Sequence, residues 1–262
     1  MHLSGKVAVI TGGGNGIGAA MARRFAQESP EALVVADLDG DAAAAVADEI
    51  GARGVTVDVA DPAQVEELVA STIRDHGRID LFCANAGIGV FGGVEVPDED
   101  WQRSWDVNVM AHVYAARALL PDWLERGEGY LLHTASAAGL LTNVGTAPYS
   151  VTKHAVVGLA EWLSMTHGGA GVTFSALCPM GVRTNMVAAG QDVSAGAVVI
   201  AQGLIEPEEC AEVVVVGLAE ERFLILPHPE VAEFFRRKAD DHDRWLAGMR
   251  RLQAAIDQGL GS

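Results

Sequence analysis

The sequence predicts an α/β fold: a single domain over residues 1–262, with a doubly wound, seven-stranded parallel sheet flanked by helices. Short apolar runs recur along the chain, and segments with helical spacing of apolar residues separate them. The runs are continuous rather than alternating, which is typical of parallel strands buried on both faces. Half of the residues are hydrophobic, and no linker or internal repeat divides the chain. One large core is therefore expected.

The elements follow from these patterns in chain order. Strands are predicted where the apolar runs fall, at 7–10, 33–36, 55–57, 81–84, 130–134, 172–177 and 223–226. Helices are predicted where apolar residues recur with a period of about 3.6, at 17–28, 41–50, 62–76, 98–124, 148–167, 207–219 and 230–257. Asp61 and Pro62 suit the N-cap and first turn of the third helix. In such a sheet, ligands bind at the carboxyl ends of the strands.

Composition excludes several function classes. The formal net charge is -17 and no basic stripe is present, which argues against nucleic acid as a partner. Cys83, Cys178 and Cys210 show no C-x-x-C spacing, which predicts buried thiols in a reducing compartment and no metal site. No apolar run is long enough to span a bilayer and no signal peptide is visible, so a cytoplasmic protein with no membrane partner is expected.

A glycine-rich segment, residues 11–18 (TGGGNGIG), lies between the first strand and the first helix. Gly12, Gly16 and Gly18 allow a tight turn and a close backbone approach, and the helix N-terminus attracts a pyrophosphate. Asn15 and Ile17 belong to the same turn. The segment predicts a dinucleotide site, and the alternative is an ordinary loop.

The second strand ends in a carboxylate that indicates which dinucleotide is bound. Asp37 lies nineteen residues after Gly18, where it can accept hydrogen bonds from the ribose hydroxyls and would repel a 2′-phosphate. Its neighbours in this region, Asn15 and Leu38, are not basic. We therefore predict NAD rather than NADP, with a surface turn as the alternative role for Asp37.

The next two strand ends carry further candidates for cofactor contacts. Asp58 and Val59 follow the third strand, where they can meet the adenine, although Asp58 also suits a turn cap. Asn85, Ala86 and Gly87 follow the fourth strand, and their small size lets the backbone pass close to a ribose.

The candidate chemistry lies in the second half. Tyr149 and Lys153 are four residues apart and share a helix face. A nearby ammonium favours the phenolate, so we expect a lowered phenol pKa and an acid–base role for Tyr149, while Lys153 also holds the nicotinamide ribose. Ser136, thirteen residues before Tyr149, can orient a reacting oxygen. Asn108 stands in an apolar helix, either bending it or holding a water that links Lys153 to solvent.

Together these segments resemble the short-chain dehydrogenase/reductase family over residues 5–227. The resemblance rests on residues 11–18, 85–87, 106–108 (DVN), Ser136, 149–153 (YSVTK) and 179–184. It implies a Rossmann fold, an NAD-dependent oxidoreductase and a tetrad of Asn108, Ser136, Tyr149 and Lys153. It also implies that Pro179, Val182 and Thr184 line the nicotinamide site. Two departures are Met180 between Pro179 and Gly181, and His133 where Asn is frequent.

The resemblance also implies a homotetramer or homodimer with the helices at 98–124 and 148–167 at interfaces. Three alternatives remain: a sugar-nucleotide epimerase or dehydratase, a divergent enoyl reductase, and a non-enzymatic dinucleotide-binding module. The glycine spacing argues against the epimerase or dehydratase, and the Tyr–Lys spacing argues against the enoyl reductase. The presence of all four tetrad residues argues against the non-enzymatic module.

Two segments are expected to shape the binding of a small-molecule substrate. Residues 185–205 form a mostly apolar covering segment, and nearby apolar residues (Val90, Phe91, Leu140, Leu141 and Met180) predict a hydrophobic secondary alcohol or ketone. The alternative is that these residues only pack the segment on the core. The tail at 229–258 carries an apolar stripe, which packs either on its own subunit or on a neighbour; the stripe comprises Phe234, Phe235, Trp245, Leu246, Met249 and Leu252.

Overall fold

The computed structural model describes residues 1–189 and 203–258. Its seven strands form one parallel sheet in the order β3-β2-β1-β4-β5-β6-β7. The strands are β1 Val7–Thr11, β2 Ala32–Asp37, β3 Arg53–Thr56, β4 Leu81–Ala84, β5 Gly129–Thr134, β6 Val172–Leu177 and β7 Leu224–Ile225. The predicted fold class is confirmed. The strand order reverses between β1 and β4, and that switch point leaves a crevice at the carboxyl edge.

Helices cover both faces of this sheet. They are α1 Gly16–Ala26, α2 Gly40–Ile50, α3 Pro62–His76, α4 Asp98–Trp105, α5 Ala111–Arg126, α6 Ala138–Leu141, α7 Ala147–His167, α8 Asn185–Ala189, α9 Pro207–Ala219, α10 Glu230–Asp240 and α11 His242–Asp257. One core cluster joins the sheet to α1, α2 and α9, and another joins it to α3, α5 and α7. The Asp61 carboxylate accepts a 2.9 Å bond from the Ala63 N–H at the start of α3, as expected.

The long helix predicted at 98–124 is interrupted. Residues Asp106–Met110 form a π-helical segment between α4 and α5. Pro121 lies inside α5 without ending it. Helical periodicity does not distinguish i→i+4 from i→i+5 hydrogen bonding over one turn, so the sequence alone predicts one helix here.

The tail at 229–258 forms two helices rather than the one predicted at 230–257. Asp241 separates α10 from α11 in an extended conformation, and its carboxylate caps α11 by accepting a 2.9 Å bond from the Arg244 N–H. The tail packs on its own chain: Phe234 and Trp245 join a third core cluster with α6 and α7, and Lys238 Nζ donates a 2.7 Å bond to the Leu140 carbonyl.

Candidate active site

A cleft of about 1030 Å³ opens at the carboxyl edge of the sheet. Its walls come from the residues after β1 to β6, which is where a doubly wound sheet binds ligands. It brings together nearly all predicted cofactor contacts: Gly12, Asn15, Gly16, Ile17, Asp37, Leu38, Asp58, Val59, Asn85, Ala86, Gly87, Tyr149, Lys153, Pro179, Val182 and Thr184. Gly18 is the exception.

The glycine-rich turn is packed so tightly that side chains are excluded from it. Gly12 has a φ of +63°, and a Cβ there would lie 2.7 Å from the Ala86 Cα. Gly16 has a φ of +52°, and a Cβ there would lie 2.9 Å from Thr184 Cγ2. Asn15 is the N-cap of α1 but makes no side-chain cap bond, so the first N–H groups of α1 are left for an anion.

Gly18 serves packing rather than contact with the cleft. It is buried in α1, and a Cβ there would collide with the Gly12 carbonyl oxygen and lie 2.7 Å from Asn85 Nδ2. The absence of a side chain therefore lets α1 lie against the turn.

Two carboxylates line the cleft near the ends of β2 and β3. Asp37 accepts a 2.9 Å bond from the Gly14 N–H and a 3.1 Å bond from the Asp39 N–H. Asp58 accepts a 2.9 Å bond from the Ala60 N–H, so it caps a turn and also faces the cleft. Among the described residues lining the cleft, the lysines and arginines are Lys153 and Arg103, which belong to α7 and α4.

Asn85 joins three strand ends at the centre of the cleft. Its Nδ2 donates to the carbonyls of Thr11 (3.0 Å) and Gly12 (3.2 Å), while its Oδ1 accepts from Thr134 Oγ1 (3.1 Å). Because every polar atom of this side chain is engaged, Asn85 fixes the cofactor turn against β4 and β5.

Tyr149 and Lys153 lie on one face of α7. Lys153 Nζ lies 5.6 Å from the centre of the Tyr149 ring and donates a 2.8 Å bond to the Thr134 carbonyl. Burial lowers the pKa of Lys153 to about 8. Burial also raises the pKa of Tyr149, and a hydrogen bond with Ser136 acts in the opposite direction. The expected lowering of the phenol pKa is therefore wrong for the protein alone, because removal from water raises the pKa more than the Ser136 hydrogen bond lowers it.

Asn108 lies in the π-helical segment, fully buried. Its Oδ1 accepts a 2.9 Å bond from the Ile88 N–H, and its Nδ2 lies 3.0 Å from the Ile88 carbonyl and 3.2 Å from Thr152 Oγ1. A Cβ at Gly87 would lie 3.2 Å from Asn108 Oδ1 and 3.4 Å from Lys153 Nζ. Asn108 therefore ties the loop after β4 to α7, and its oxygen and the Lys153 ammonium border one small space.

The loop after β6 completes the site. The Pro179 carbonyl accepts bonds from the Ala137 N–H (2.8 Å) and Ser136 Oγ (3.4 Å). His228, which the sequence patterns did not indicate, accepts a 3.1 Å bond from the Met180 N–H through Nδ1, and its Nε2 lies 3.1 Å from the Gly181 carbonyl oxygen. His228, just before the tail, thus holds the loop at Met180 in place.

His133 pairs with a histidine that sequence reasoning missed. The Nδ1 atoms of His112 and His133 lie 3.0 Å apart, and both side chains are buried. Burial lowers the pKa of His133 to about 3, and burial, then His133 and Lys153, hold the pKa of His112 well below its usual range. The pair is neutral near pH 7, so it adds no charge beside Lys153. His112 lies on α5 and His133 on β5, so the packing of α5 against β5 brings the two residues together.

A second cavity, here called the substrate chamber, adjoins the cleft with a volume of about 330 Å³. Ser136 and Tyr149 line both spaces. Most of the chamber wall is apolar, and it includes Val90, Phe91, Leu141, Met180, Met186, Phe234, Trp245, Met249 and Leu252. Leu140, Phe235 and Leu246 do not line it: Leu140 is buried, and the other two are exposed. Of the predicted covering segment 185–205, residues 190–202 lie outside the described residues.

Comparison with known proteins decides the family. A short chain dehydrogenase model matches residues 6–193. The chain belongs to the short-chain dehydrogenase/reductase family. It is 38% identical over 257 residues to a 1-deoxy-11-beta-hydroxypentalenate dehydrogenase of Streptomyces exfoliatus, covering 92% of this chain and 90% of that one. It is 39% identical over 190 residues to a meso-2,3-butanediol dehydrogenase of Serratia marcescens, covering 71% and 75%.

Solved structures of the family agree. A short-chain dehydrogenase/reductase from Burkholderia phymatum in complex with NAD is 33% identical, with a TM-score of 0.84 over 93% of this chain and 96% of that one. A 3-ketoacyl-(acyl-carrier-protein) reductase from Brucella melitensis with NADH is 30% identical, with a TM-score of 0.77 over 86% and 96%. The chain is therefore an oxidoreductase that acts on hydroxyl groups. Within the described part of the chain, no helix is long and apolar enough to cross a membrane.

Proposed function

We propose that this short-chain dehydrogenase transfers a hydride between NAD(H) and a hydrophobic secondary alcohol or ketone, with Tyr149 as the general acid/base. The observation that carries the proposal is the position of Tyr149. It lies where the large cleft and the apolar substrate chamber meet, beside Ser136 and on the same helix face as Lys153. A proton acceptor is needed at such a junction, because alcohol oxidation must remove the hydroxyl proton as the hydride leaves.

The residues present fit a nicotinamide dinucleotide. The turn around Gly12 and Gly16 leaves no room for side chains, and the N-terminus of α1 is uncapped by Asn15, which suits a pyrophosphate. Asp37 suits ribose hydroxyls, and the absence of a basic residue from the β2 end of the cleft, within the described residues, favours NAD over NADP. Pro179, Val182 and Thr184 also line the cleft. When bound, the nicotinamide supplies the hydride acceptor or donor.

The chain's own residues then handle the proton. Ser136 and Tyr149 hold the substrate oxygen, and the Tyr149 phenolate accepts its proton during oxidation. Lys153 favours the phenolate and holds the ribose. Asn108 positions the loop at Gly87 and α7, so that Lys153 keeps its place beside Tyr149. Reduction uses the same groups in reverse.

The test is NADH formation with a panel of secondary alcohols, run with NAD and NADP in parallel. The wild type is expected to prefer NAD and apolar alcohols. Tyr149→Phe is expected to lose turnover by roughly a hundred- to ten-thousandfold while still binding NADH, because the Tyr149 phenolate accepts the proton. Near-normal turnover in that variant, or better use of NADPH by the wild type, contradicts the corresponding part of the proposal.

Two variants on α11 test whether the chamber holds an apolar substrate. Met249 lines the substrate chamber, whereas Leu246, on the same helix, is 43% exposed and does not. Met249→Ala is expected to shift the preferred alcohol towards larger molecules, and Leu246→Ala is the matched control that should leave the preference unchanged. Equal profiles for the two variants argue that the chamber does not hold the substrate.

The enzyme also assembles as a homodimer or homotetramer through α4, α5 and α7. Trp162 and Met165 on α7 support this proposal, since 55% and 78% of their surfaces are exposed. Large exposed apolar side chains favour an interface. Light scattering is expected to show a smaller particle for Trp162→Glu than for the wild type.

A further inference from the structure

The substrate chamber contains one basic side chain and no acidic one among the described residues that line it. The basic side chain is Arg237, on α10. We propose that Arg237 binds an anionic group, such as a carboxylate, that the substrate carries apart from its reacting hydroxyl. This inference rests on the proposed function, because it assigns a second recognition point to the same chamber.

The absence of carboxylates from the described part of the lining is unusual for this chain. The protein has 35 Asp and Glu residues against 18 Lys and Arg, and its net charge is -17. An anionic substrate would meet repulsion over much of such a surface. The described lining of the chamber nevertheless combines apolar residues with Arg237 and uncharged polar groups. This distribution fits an apolar molecule with one negative charge.

Arg237 is also oriented for such a contact. Its Nε donates a 2.8 Å bond to Glu233 Oε1, which fixes one edge of the guanidinium. Its two Nη atoms make no hydrogen bond to any described residue. A guanidinium has five N–H donors in a planar fork that matches a carboxylate, so the Nη edge remains for an anion.

Arg236 provides a natural contrast. It pairs with the other oxygen of the same Glu233, and 65% of its side chain is exposed against 63% for Arg237. Only Arg237 lines the chamber. The two residues therefore share a partner, a degree of exposure and a helix, and differ in whether they line the chamber.

The expected effect is moderate, because water reaches much of the Arg237 side chain. Exposed ion pairs contribute little to binding free energy, whereas a bidentate hydrogen bond between a guanidinium and a carboxylate at the edge of an apolar cavity contributes more. We expect about a tenfold preference in kcat/KM for an anionic substrate over its neutral ester, which corresponds to ~1.4 kcal/mol.

The experiment uses pairs of secondary alcohols that differ only in charge: 5-hydroxyhexanoate, 7-hydroxyoctanoate and 9-hydroxydecanoate, each beside its methyl ester. NADH formation is measured for the wild type, Arg237→Gln and Arg236→Gln, and melting temperatures check that both variants fold. The wild type is expected to prefer the acid at the chain length that reaches Arg237. Arg237→Gln should lose that preference and Arg236→Gln should keep it.

The other outcomes separate two failures. If the wild type oxidises acids no better than esters at every length, or if both variants lose the preference equally, Arg237 does not bind the substrate and the proposed dehydrogenase function stands. If the wild type oxidises no compound in the series and no plain secondary alcohol, the proposed function fails and the role of Arg237 fails with it.

Discussion

The two edges of the sheet each bury a charged side chain, and their surroundings are opposite. At the amino edge, Asp80 is fully buried, accepts a 2.8 Å bond from the Val7 N–H, and is approached by Arg78 (2.9 Å), Arg126 (3.7 Å) and Lys6 (3.9 Å). At the carboxyl edge, Lys153 is 2% exposed and has no carboxylate within 4 Å among the described residues. Its ammonium has the Thr134 carbonyl and the Tyr149 ring instead.

The difference shows how function can be separated from stability in this fold. Asp80 joins the start of β1 to the segment before β4, and its cations neutralise it in place. Lys153 lacks such neutralisation, and burial lowers its pKa to about 8 as a result. A buried charge whose environment favours its neutral form is unfavourable for stability, and such groups concentrate where chemistry requires them.

The largest expected effect is on activity at Lys153. Lys153→Met should reduce kcat by roughly a hundred- to ten-thousandfold, because the Tyr149 phenolate loses its stabilising cation. The melting temperature should not fall, because methionine has a similar length and removes the buried charge. Steady-state assays and calorimetry measure the two quantities. A large loss of stability would mean that Lys153 supports the fold as Asp80 does.

The opposite result is expected at Asp80. Asp80→Ala should lower the free energy of unfolding by about 3 kcal/mol, because three cations lose their shared carboxylate and the buried Val7 N–H loses its acceptor. Activity per folded molecule should remain, since the residue lies at the far edge of the sheet. Urea denaturation gives the stability, and a substantial drop in kcat at a temperature where the variant is folded would link the two edges.

A smaller effect is expected at Gly87. Gly87→Ala places a methyl group 3.2 Å from Asn108 Oδ1 and 3.4 Å from Lys153 Nζ, so it should displace one of them and reduce kcat by about ten- to a hundredfold. Gly158→Ala on α7 is the matched control, because a Cβ there meets nothing within 4 Å. If both variants retain full activity, the space between Asn108 and Lys153 has no part in the reaction.

The smallest effect is on the pH dependence of stability. The pKa of Lys153 is about 8 in the folded protein, against an ordinary value of 10.5. Between these values the unfolded chain holds a proton that the folded protein has lost, so stability contributed by Lys153 rises with pH. The difference in melting temperature between the wild type and Lys153→Met should therefore shift in favour of the wild type from pH 8 to pH 10. A flat difference in Tm over that range would contradict the lowered pKa.

The comparison also explains how much the sequence could predict. The glycine-rich turn, Asp37, Ser136, Tyr149 and Lys153 stand at strand ends or on one helix face. Local spacing and the rule that parallel strands end at one edge are enough to place them together. Asp80 and His112 were not indicated, because their partners Arg78, Arg126 and His133 come from several elements. No short-range pattern encodes such contacts.

The sequence by itself determined the order of strands and helices, the family and most of the cleft wall, because these depend on periodicity and on residues close to strand ends. The tertiary structure decided the rest. The helix is interrupted at Asn108 by a π-helical segment, the tail packs on its own chain, and Arg237 is among the residues that line the substrate chamber. The structure also showed that burial raises the pKa of Tyr149, the reverse of the expected direction. Burial and side-chain orientation depend on contacts between distant segments, and those contacts exist only in the folded chain.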